Sequence, residues 1–317
     1  MIRFTAIRLV EIAAVVVLMS FVIYVLIGLM PGDPIDLMRQ ADPRMSAADV
    51  ARLKAVYGVD QPLFARYLAW AGQALSGDLG YSRLFAAPVW SALVPRLGNS
   101  LLLMGSSFVL ALALALGLGT AAARRPGSRF DAAINLCCFA GVSMPTFWLA
   151  LMLILVFAAG LGWLPASGIA TAGMSNLGDR LVHLVLPVAT LTLASTGGYT
   201  RYVRAAMKEA LLQDHIRTAR AKGASESRVI LHHALRSAMI PVTTILALSF
   251  GGLVSGALVT ETMFAYPGMG KLIFDAVMGN DYNLALAALL LATVTTMLAN
   301  LAADLAYGWL DPRVTYR

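Results

Sequence analysis

The stretch Asn99-Ser-Leu-Leu-Leu-Met-Gly-Ser-Ser-Phe-Val-Leu-Ala-Leu-Ala-Leu-Ala-Leu-Gly-Leu-Gly-Thr-Ala-Ala-Ala123 holds no charged side chain. About 20 mostly apolar residues let a helix cross a hydrocarbon core of ~30 Å, so this run predicts a membrane span. Five more stretches meet the same condition: Leu9–Met30, Ile134–Gly160, Leu181–Tyr199, Met239–Val259 and Leu284–Leu305. The fourth in chain order is the weakest, interrupted by His183, Pro187 and the Gly197-Gly198 pair. Pro145 and Pro187 predict kinks, which bilayer helices tolerate where neighbours re-satisfy the freed backbone groups. The 317 residues are 59% hydrophobic and 13% charged, with a mean hydropathy of +0.75. A soluble domain has about 45–50% apolar and about 25% charged residues. A water-soluble enzyme and a nucleic-acid-coating protein are therefore excluded. The fold class read here is an all-α integral membrane protein with six transmembrane helices. Cys137 and Cys138 have neither metal-ligand spacing nor a disulfide framework and read as small packing residues.

Orientation follows from the basic residues. Arg3 and Arg8 precede the first stretch, and Arg124, Arg125 and Arg129 follow the second. Arg201, Arg204, Lys208, Arg217, Arg220, Lys222, Arg228 and Arg236 lie between the fourth and fifth, and Arg313 and Arg317 come last. With six spans these regions share one side, which the positive-inside rule makes cytoplasmic, with both termini there. The net charge of +7 thus reports orientation and not a nucleic-acid partner. The basic start and long apolar run, followed by Pro31-Gly32-Asp33-Pro34, read as a retained first helix and not a signal peptide. Three segments follow: residues 1–30, an external region 31–98, and a core 99–317 containing the cytoplasmic loop 200–238. The external region predicts amphipathic helices at Ala47–Val56 and Leu63–Leu75 with a turn at Asp60-Gln61-Pro62. Some of its charged residues are expected to dock an external partner.

The cytoplasmic loop contains Asp214-His-Ile-Arg-Thr-Ala-Arg-Ala-Lys-Gly223. Asp214 suits an N-cap, Gly223 suits the position just past a helix C-terminus, and Arg220 and Lys222 complement the dipole there. A helix of about two turns is predicted. A second begins after Ser225, with Arg228, His232 and Arg236 on one face, Ile230, Ala234 and Ala238 on another, and Pro241 opening the fifth span. A loop this long with its own capped structure points to docking of a cytoplasmic partner.

These residues also carry a family resemblance. Arg217-Thr-Ala-Arg-Ala-Lys-Gly223 resembles the cytoplasmic "EAA" loop of binding-protein-dependent ABC importer permeases. With His215-Ile216 before it and His233-Ala-Leu-Arg236 and Ile240-Pro241 after it, it looks like the first-permease subunit of the dipeptide, oligopeptide and nickel branch. Pro31-Gly-Asp-Pro34, Tyr57-Gly-Val-Asp-Gln-Pro62, Gly77-Asp-Leu-Gly80, Ser143-Met-Pro145 with Phe147-Trp148, and Trp163-Leu-Pro165 continue the match. So do Glu261-Thr262, Tyr266-Pro-Gly-Met-Gly270, Asp281-Tyr282 and Asp311-Pro-Arg313. Where the general loop pattern begins Glu-Ala-Ala this chain has Arg217-Thr218-Ala219, and the general Leu-Pro ending falls on Leu235-Arg236. The resemblance implies a type I ABC importer permease fold in the bacterial inner membrane, translocating di- or oligopeptides by alternating access, with nickel or another small solute as the other cargo of the branch. It implies a homologous second permease, two cytoplasmic ATPases that bind ATP and Mg, and a periplasmic substrate-binding protein. Asp214, His215, Ile216, Arg217, Thr218, Ala219, Arg220, Ala221, Lys222 and Gly223 would form the ATPase-coupling helix.

No cofactor, metal or catalytic role is read in this chain itself. Gly268-Met-Gly270-Lys271 lacks the distal glycine and the Ser/Thr of a P-loop, and Ser167 with His183 is the nearest approach to a hydrolase pair. Glu11 and Asp304, near the cytoplasmic ends of the first and sixth spans, are expected to face water or pair with Arg8 or Arg313. For the translocation path or its gate the candidates are Met144, Phe147, Ser249, Gly252, Ser255 and Glu261. Gly252 and Gly256 also form a GxxxG, which reads as helix packing.

Overall fold

In the computed structural model, residues 2–29, 46, 61–174, 176–250 and 256–310 are described. The chain forms helix α1 (Ile2–Gly28), α2 (Leu63–Leu75), a two-stranded hairpin β1 (Tyr81–Ser82) and β2 (Ala87–Pro88), α3 (Val89–Arg124), α4 (Arg129–Ser143) and α5 (Thr146–Leu153). A π-helical stretch, Ile154–Gly160, extends α5. Then follow α6 (Leu177–Ala210), α7 (Asp214–Ala221), α8 (Glu226–Arg228), a π-helical turn Val229–Ala234, α9 (Leu235–Phe250), α10 (Leu258–Met263), α11 (Met269–Met278) and α12 (Tyr282–Leu310).

Among the described residues, four helices are individually long and apolar enough to cross a membrane: Thr5–Gly28, Val89–Arg124, Leu177–Ala210 and Tyr282–Leu305. The predicted third span is corrected. It is not one kinked helix but two arms, α4 and α5 with its extension, meeting at 102°. Met144 is extended there (φ −82°, ψ 127°), because the ring of a following proline disfavours helical backbone at the residue before it. Pro145 then starts a new helix. Pro187, by contrast, sits inside an unbroken α6. The fifth stretch is also revised. Pro241 lies within α9 and does not open it, and by Gly256, in left-handed backbone with φ +83°, the helix has ended. Gly256 therefore serves a tight turn, where an added methyl would lie 2.4 Å from the Gly270 nitrogen, and not a GxxxG ridge. Gly252, Ala47–Val56, Pro31–Pro34 and Asp311–Arg313 lie outside the described residues.

The spine is α3 beside α6. Thr192 Oγ1 donates to the Ser107 carbonyl, and further along Gly119 meets Val203, so the two helices run parallel. The contact face of α3 is built of small residues, Ala111, Ala115, Gly119 and Ala122, which lets backbones approach without a hydrophobic driving force from water. On its other side α6 packs antiparallel to α4. Arg204 Nε and Nη2 reach Asp131 Oδ1 and Oδ2 at 2.5 and 2.6 Å, and seven residues toward the other end Gly197 lies against the Cys138 carbonyl. Asp131 also accepts from Gly127 N–H and from Asn135 Nδ2, so this buried carboxylate is fully partnered, as burial of a charge requires.

Helix α1 stands at the edge, packed on α12 and α2. Arg8 joins it to α12, with Nη1 3.1 Å from Glu11 and Nη2 3.3 Å from Asp304. Glu11 and Asp304 thus pair with Arg8, as expected, while Arg313 lies outside the described residues. Toward the other end Ser20 Oγ and Tyr67 Oη are 2.8 Å apart, and Phe21, Tyr24 and Trp70 stack around Tyr67.

Candidate functional site

Helix α6 is 34 residues long, about 51 Å, which exceeds the ~30 Å hydrocarbon core by several turns. Its charged end, with Arg201, Arg204 and Lys208, therefore projects beyond the span predicted from hydropathy, and α7 sits on that projection. Helix α7 is short because its ends are marked. Gln213, extended at φ −72° and ψ 151°, is the N-cap, which corrects the assignment of that place to Asp214. Asp214 is instead the first helical residue, where an acid complements the dipole. At the far end Gly223 adopts φ +77°, Gly223 N–H donates to the Arg220 carbonyl and Ala224 N–H to the Ala219 carbonyl. These are the paired bonds of a Schellman motif, which needs the left-handed glycine.

One side chain seats the helix. Ile216 is fully buried among Met207 and Ala210 of α6 and Val229, Ile230 and Ala234 of the π-helical turn, with Ala219 half-buried beside it. Asp214, His215, Arg217, Thr218, Arg220, Ala221, Lys222 and Gly223 are exposed. The following segment matches expectation, with Arg228, His232 and Arg236 exposed and Ile230, Ala234 and Ala238 buried. Its π-helical turn was not legible in the periodicity. Two polar links brace α7: His215 Nε2 lies 3.2 Å from Ser237 Oγ, and Arg220 holds Glu226 through Nε (3.2 Å) and Nη2 (2.7 Å). The guanidinium keeps the Glu226 carboxyl below the usual glutamate range, and the carboxylate raises Arg220. A lowered acid contributes stability above its ordinary pKa and loses that contribution as pH falls through the lowered value. Both groups are half exposed, so Glu226→Gln is expected to cost at most about 1 kcal/mol at neutral pH. Thermal melts of variant and wild type should converge in acid.

The path candidates are dispersed. Met144 and Phe147 lie exposed on either side of the Pro145 break. Ser249 is half-buried, its hydroxyl turned back to the Ile245 carbonyl, and Ser255 lies outside the described residues. Glu261 is fully buried on α10. The Ser100 hydroxyl (2.7 Å) and Ala257 N–H (3.2 Å) donate to its Oε1, and Lys271 N–H donates to Oε2 (2.8 Å). It therefore presents no free carboxylate to a path in this conformation. His183 bonds back to the Asp179 carbonyl, and among the described residues no hydrogen bond joins it to Ser167. Among the described residues no three His, Cys, Asp or Glu side chains group to hold a metal.

Reasoning from sequence missed three partners: Asp131 for Arg204, Ser100 for Glu261, and Ser82, whose hydroxyl donates to the buried Asp281 at 2.6 Å. Each joins positions 73 or more apart in sequence.

Residues 100–316 match the model of the binding-protein-dependent transport system inner membrane component. The chain belongs to that family. Residues 1–103 match the N-terminal model of the same membrane components. Relatives in the family include the oligopeptide transport system permease protein AppB of Bacillus subtilis, 40% identical over 92% of this chain and 93% of that protein. The di/tripeptide transport system permease protein DppB of Pseudomonas aeruginosa is 36% identical, and the dipeptide permease protein DppB of Escherichia coli K12 is 35% identical, each over 93% of both chains. Among solved structures, a chain of the inward-facing MetNI methionine ABC transporter shares the fold. Its TM-score is 0.56 at 18% identity, covering 70% of this chain and 97% of that one. Family membership makes the protein an inner-membrane component of a binding-protein-dependent transport system.

Proposed function

We propose that this chain is the first permease of an ATP-driven ABC importer for di- or oligopeptides, with six spans and α7 as its coupling helix on the cytoplasmic side. The single observation that carries the reading is the geometry of α7: a short helix closed at its C-terminus by a Schellman motif, fastened by one buried isoleucine, with its polar side chains presented outward. Such a helix is a rigid lever. Two ATPase subunits, which bind ATP and Mg, would each seat a coupling helix, one from this chain and one from a homologous second permease. Closure of the ATPases would then rock the permeases between inward-facing and outward-facing states, while a periplasmic binding protein supplies the solute. Peptide as cargo is supported by the names of the relatives, which are 35–40% identical.

The test is reconstitution of the two permeases and two ATPases in proteoliposomes with the binding protein, measuring ATP-dependent uptake of labelled di- and tripeptides. Saturable uptake that needs both ATP and the binding protein is expected. Uptake of another solute class in place of peptides would overturn the cargo. Deleting Arg217–Gly223 should abolish co-purification of the ATPases while the chain still inserts in the membrane, and full transport by that variant would overturn the coupling role.

A further inference from the structure

The end of the molecule opposite α7 is organised around Glu261. Its carboxylate is fully buried and stands at the N-terminus of α11, where Lys271 is the third helical residue and gives its N–H to Oε2. A helix N-terminus favours a negative charge. Ser100, fully buried near the start of the apolar run of α3, completes a bridge. Its hydroxyl donates to Glu261 Oε1, and the same oxygen accepts from Met269 N–H, both at 2.7 Å. Beside it the Asn99 amide donates to the Pro267 carbonyl (2.9 Å) and Tyr266 Oη donates to the Asn99 carbonyl (3.3 Å). The backbone leaves room for this. An added methyl at Gly268 would fall 2.2 Å from the Glu261 carboxylate carbon, and one at Gly270 would fall 2.8 Å from the Leu258 nitrogen. So α10, the 264–268 turn and α11 are tied to α3 by the Glu261 carboxylate and Ser100 hydroxyl at a buried centre, with the two Asn99 bonds beside it, in a cradle that excludes larger residues.

The same α3 runs beside α6 to the other end, and α6 carries α7 through Met207 and Ala210. Contact between Gly119 and Val203 and between Ser107 and Thr192 holds the two helices in register. We infer that Glu261 is a positioning residue of the transport cycle. The Ser100–Glu261–Met269 bridge makes the outer cap, α10 and α11, one rigid body with α3, so that displacement of α7 by the ATPases is delivered to the external surface. This rests on the importer reading above. It adds that coupling depends on a buried bridge at the far end of the molecule, which touches neither ATPase nor solute. Without the bridge, α3 and α6 move while the cap lags.

The complete reconstituted transporter tests this with two variants. Glu261→Gln keeps shape and volume but places an amide N–H2 against one of the present donors. Ser100→Ala keeps the carboxylate and both backbone donors but removes the hydroxyl that joins α3 to the cap. Hydrogen exchange of the peptide spanning 268–278 is expected to quicken about tenfold or more in either variant, the scale of one lost bond to a charged group. Exchange of 214–221 should stay unchanged. ATPase activity should remain within about twofold of wild type, while solute carried per ATP falls about tenfold, because a loosened cap uncouples the two. If Glu261→Gln is not recovered in membranes, Ser100→Ala decides. Unchanged transport per ATP in a variant with quickened exchange would overturn the inference, as would a proportional fall of ATPase and uptake. Wild-type complex lacking ATP-driven uptake would overturn the importer reading itself, a result visible before any variant is made.

Discussion

Ile216→Asp is expected to abolish ATP-driven uptake while the chain still inserts and α3, α4 and α6 remain packed. Ile216 is the one fully buried side chain of α7. A helix of eight residues is too short to be stable in isolation, where about 12–15 are needed, so α7 exists because it is seated. Truncating a buried isoleucine costs about 2–5 kcal/mol, and an unpartnered carboxylate in an apolar seat adds to that. A loss of ~3 kcal/mol already lowers the ratio of seated to unseated α7 about a hundredfold. With the carboxylate penalty added the unseated form is expected to predominate and uptake to be lost, together with ATPase co-purification. Ile216→Val, which removes one methylene, should retain most uptake, at a cost of about 0.5–1.5 kcal/mol. Wild-type uptake in Ile216→Asp would show that this seat is not what holds the lever.

Two adjacent glycines give the second large contrast. A methyl at Gly197 would lie 2.5 Å from the Cys138 carbonyl oxygen and 3.2 Å from its carbon, both backbone atoms of α4, while at Gly198 it would meet nothing within 4 Å. Backbone cannot turn aside as a flexible side chain can, so Gly197→Ala must push α4 from α6. Overpacking of this kind costs about 1–3 kcal/mol. Here it also strains the Asp131–Arg204 pair on the same helix face, whose rupture costs about 3–5 kcal/mol when a charge is left buried. Gly197→Ala is expected to lower the melting temperature of the detergent-solubilised protein by several degrees. Gly198→Ala should be neutral or slightly stabilising, since alanine is favoured over glycine in a helix by up to ~1 kcal/mol. Equal melting temperatures for the two variants would disprove the close α4–α6 approach.

In the sequence these glycines are a single interruption of a weak span. Nothing local says which of the two faces α4. The same holds for Pro145 and Pro187, both read as kinks. One breaks its helix by 102° because Met144 before it turned extended, and the other is carried inside α6, where Leu186 and Val188 on either side of it are buried in a cluster with Leu103 of α3 and Ala150 of α5. Glu261 is conspicuous in the sequence because it stands at the end of an apolar run, but its burial against Ser100 depends on a residue 161 positions away. Gln213 displaced Asp214 as the N-cap because the chain leaves α6 through two turn residues and enters α7 one position earlier than side-chain preference alone indicates.

From the sequence alone came the membrane class, the place and C-terminal cap of α7, and the buried stripe of Ile230, Ala234 and Ala238. Those follow from hydropathy, charge and backbone preference, which act within a few residues of chain. The tertiary structure decided the seat of Ile216, the Asp131–Arg204 and Ser100–Glu261 links, and the unequal roles of Gly197 and Gly198. Each depends on how one helix is rotated and set in register against another, and inside a bilayer that register comes from close packing and a few polar contacts, which leave no period in the sequence.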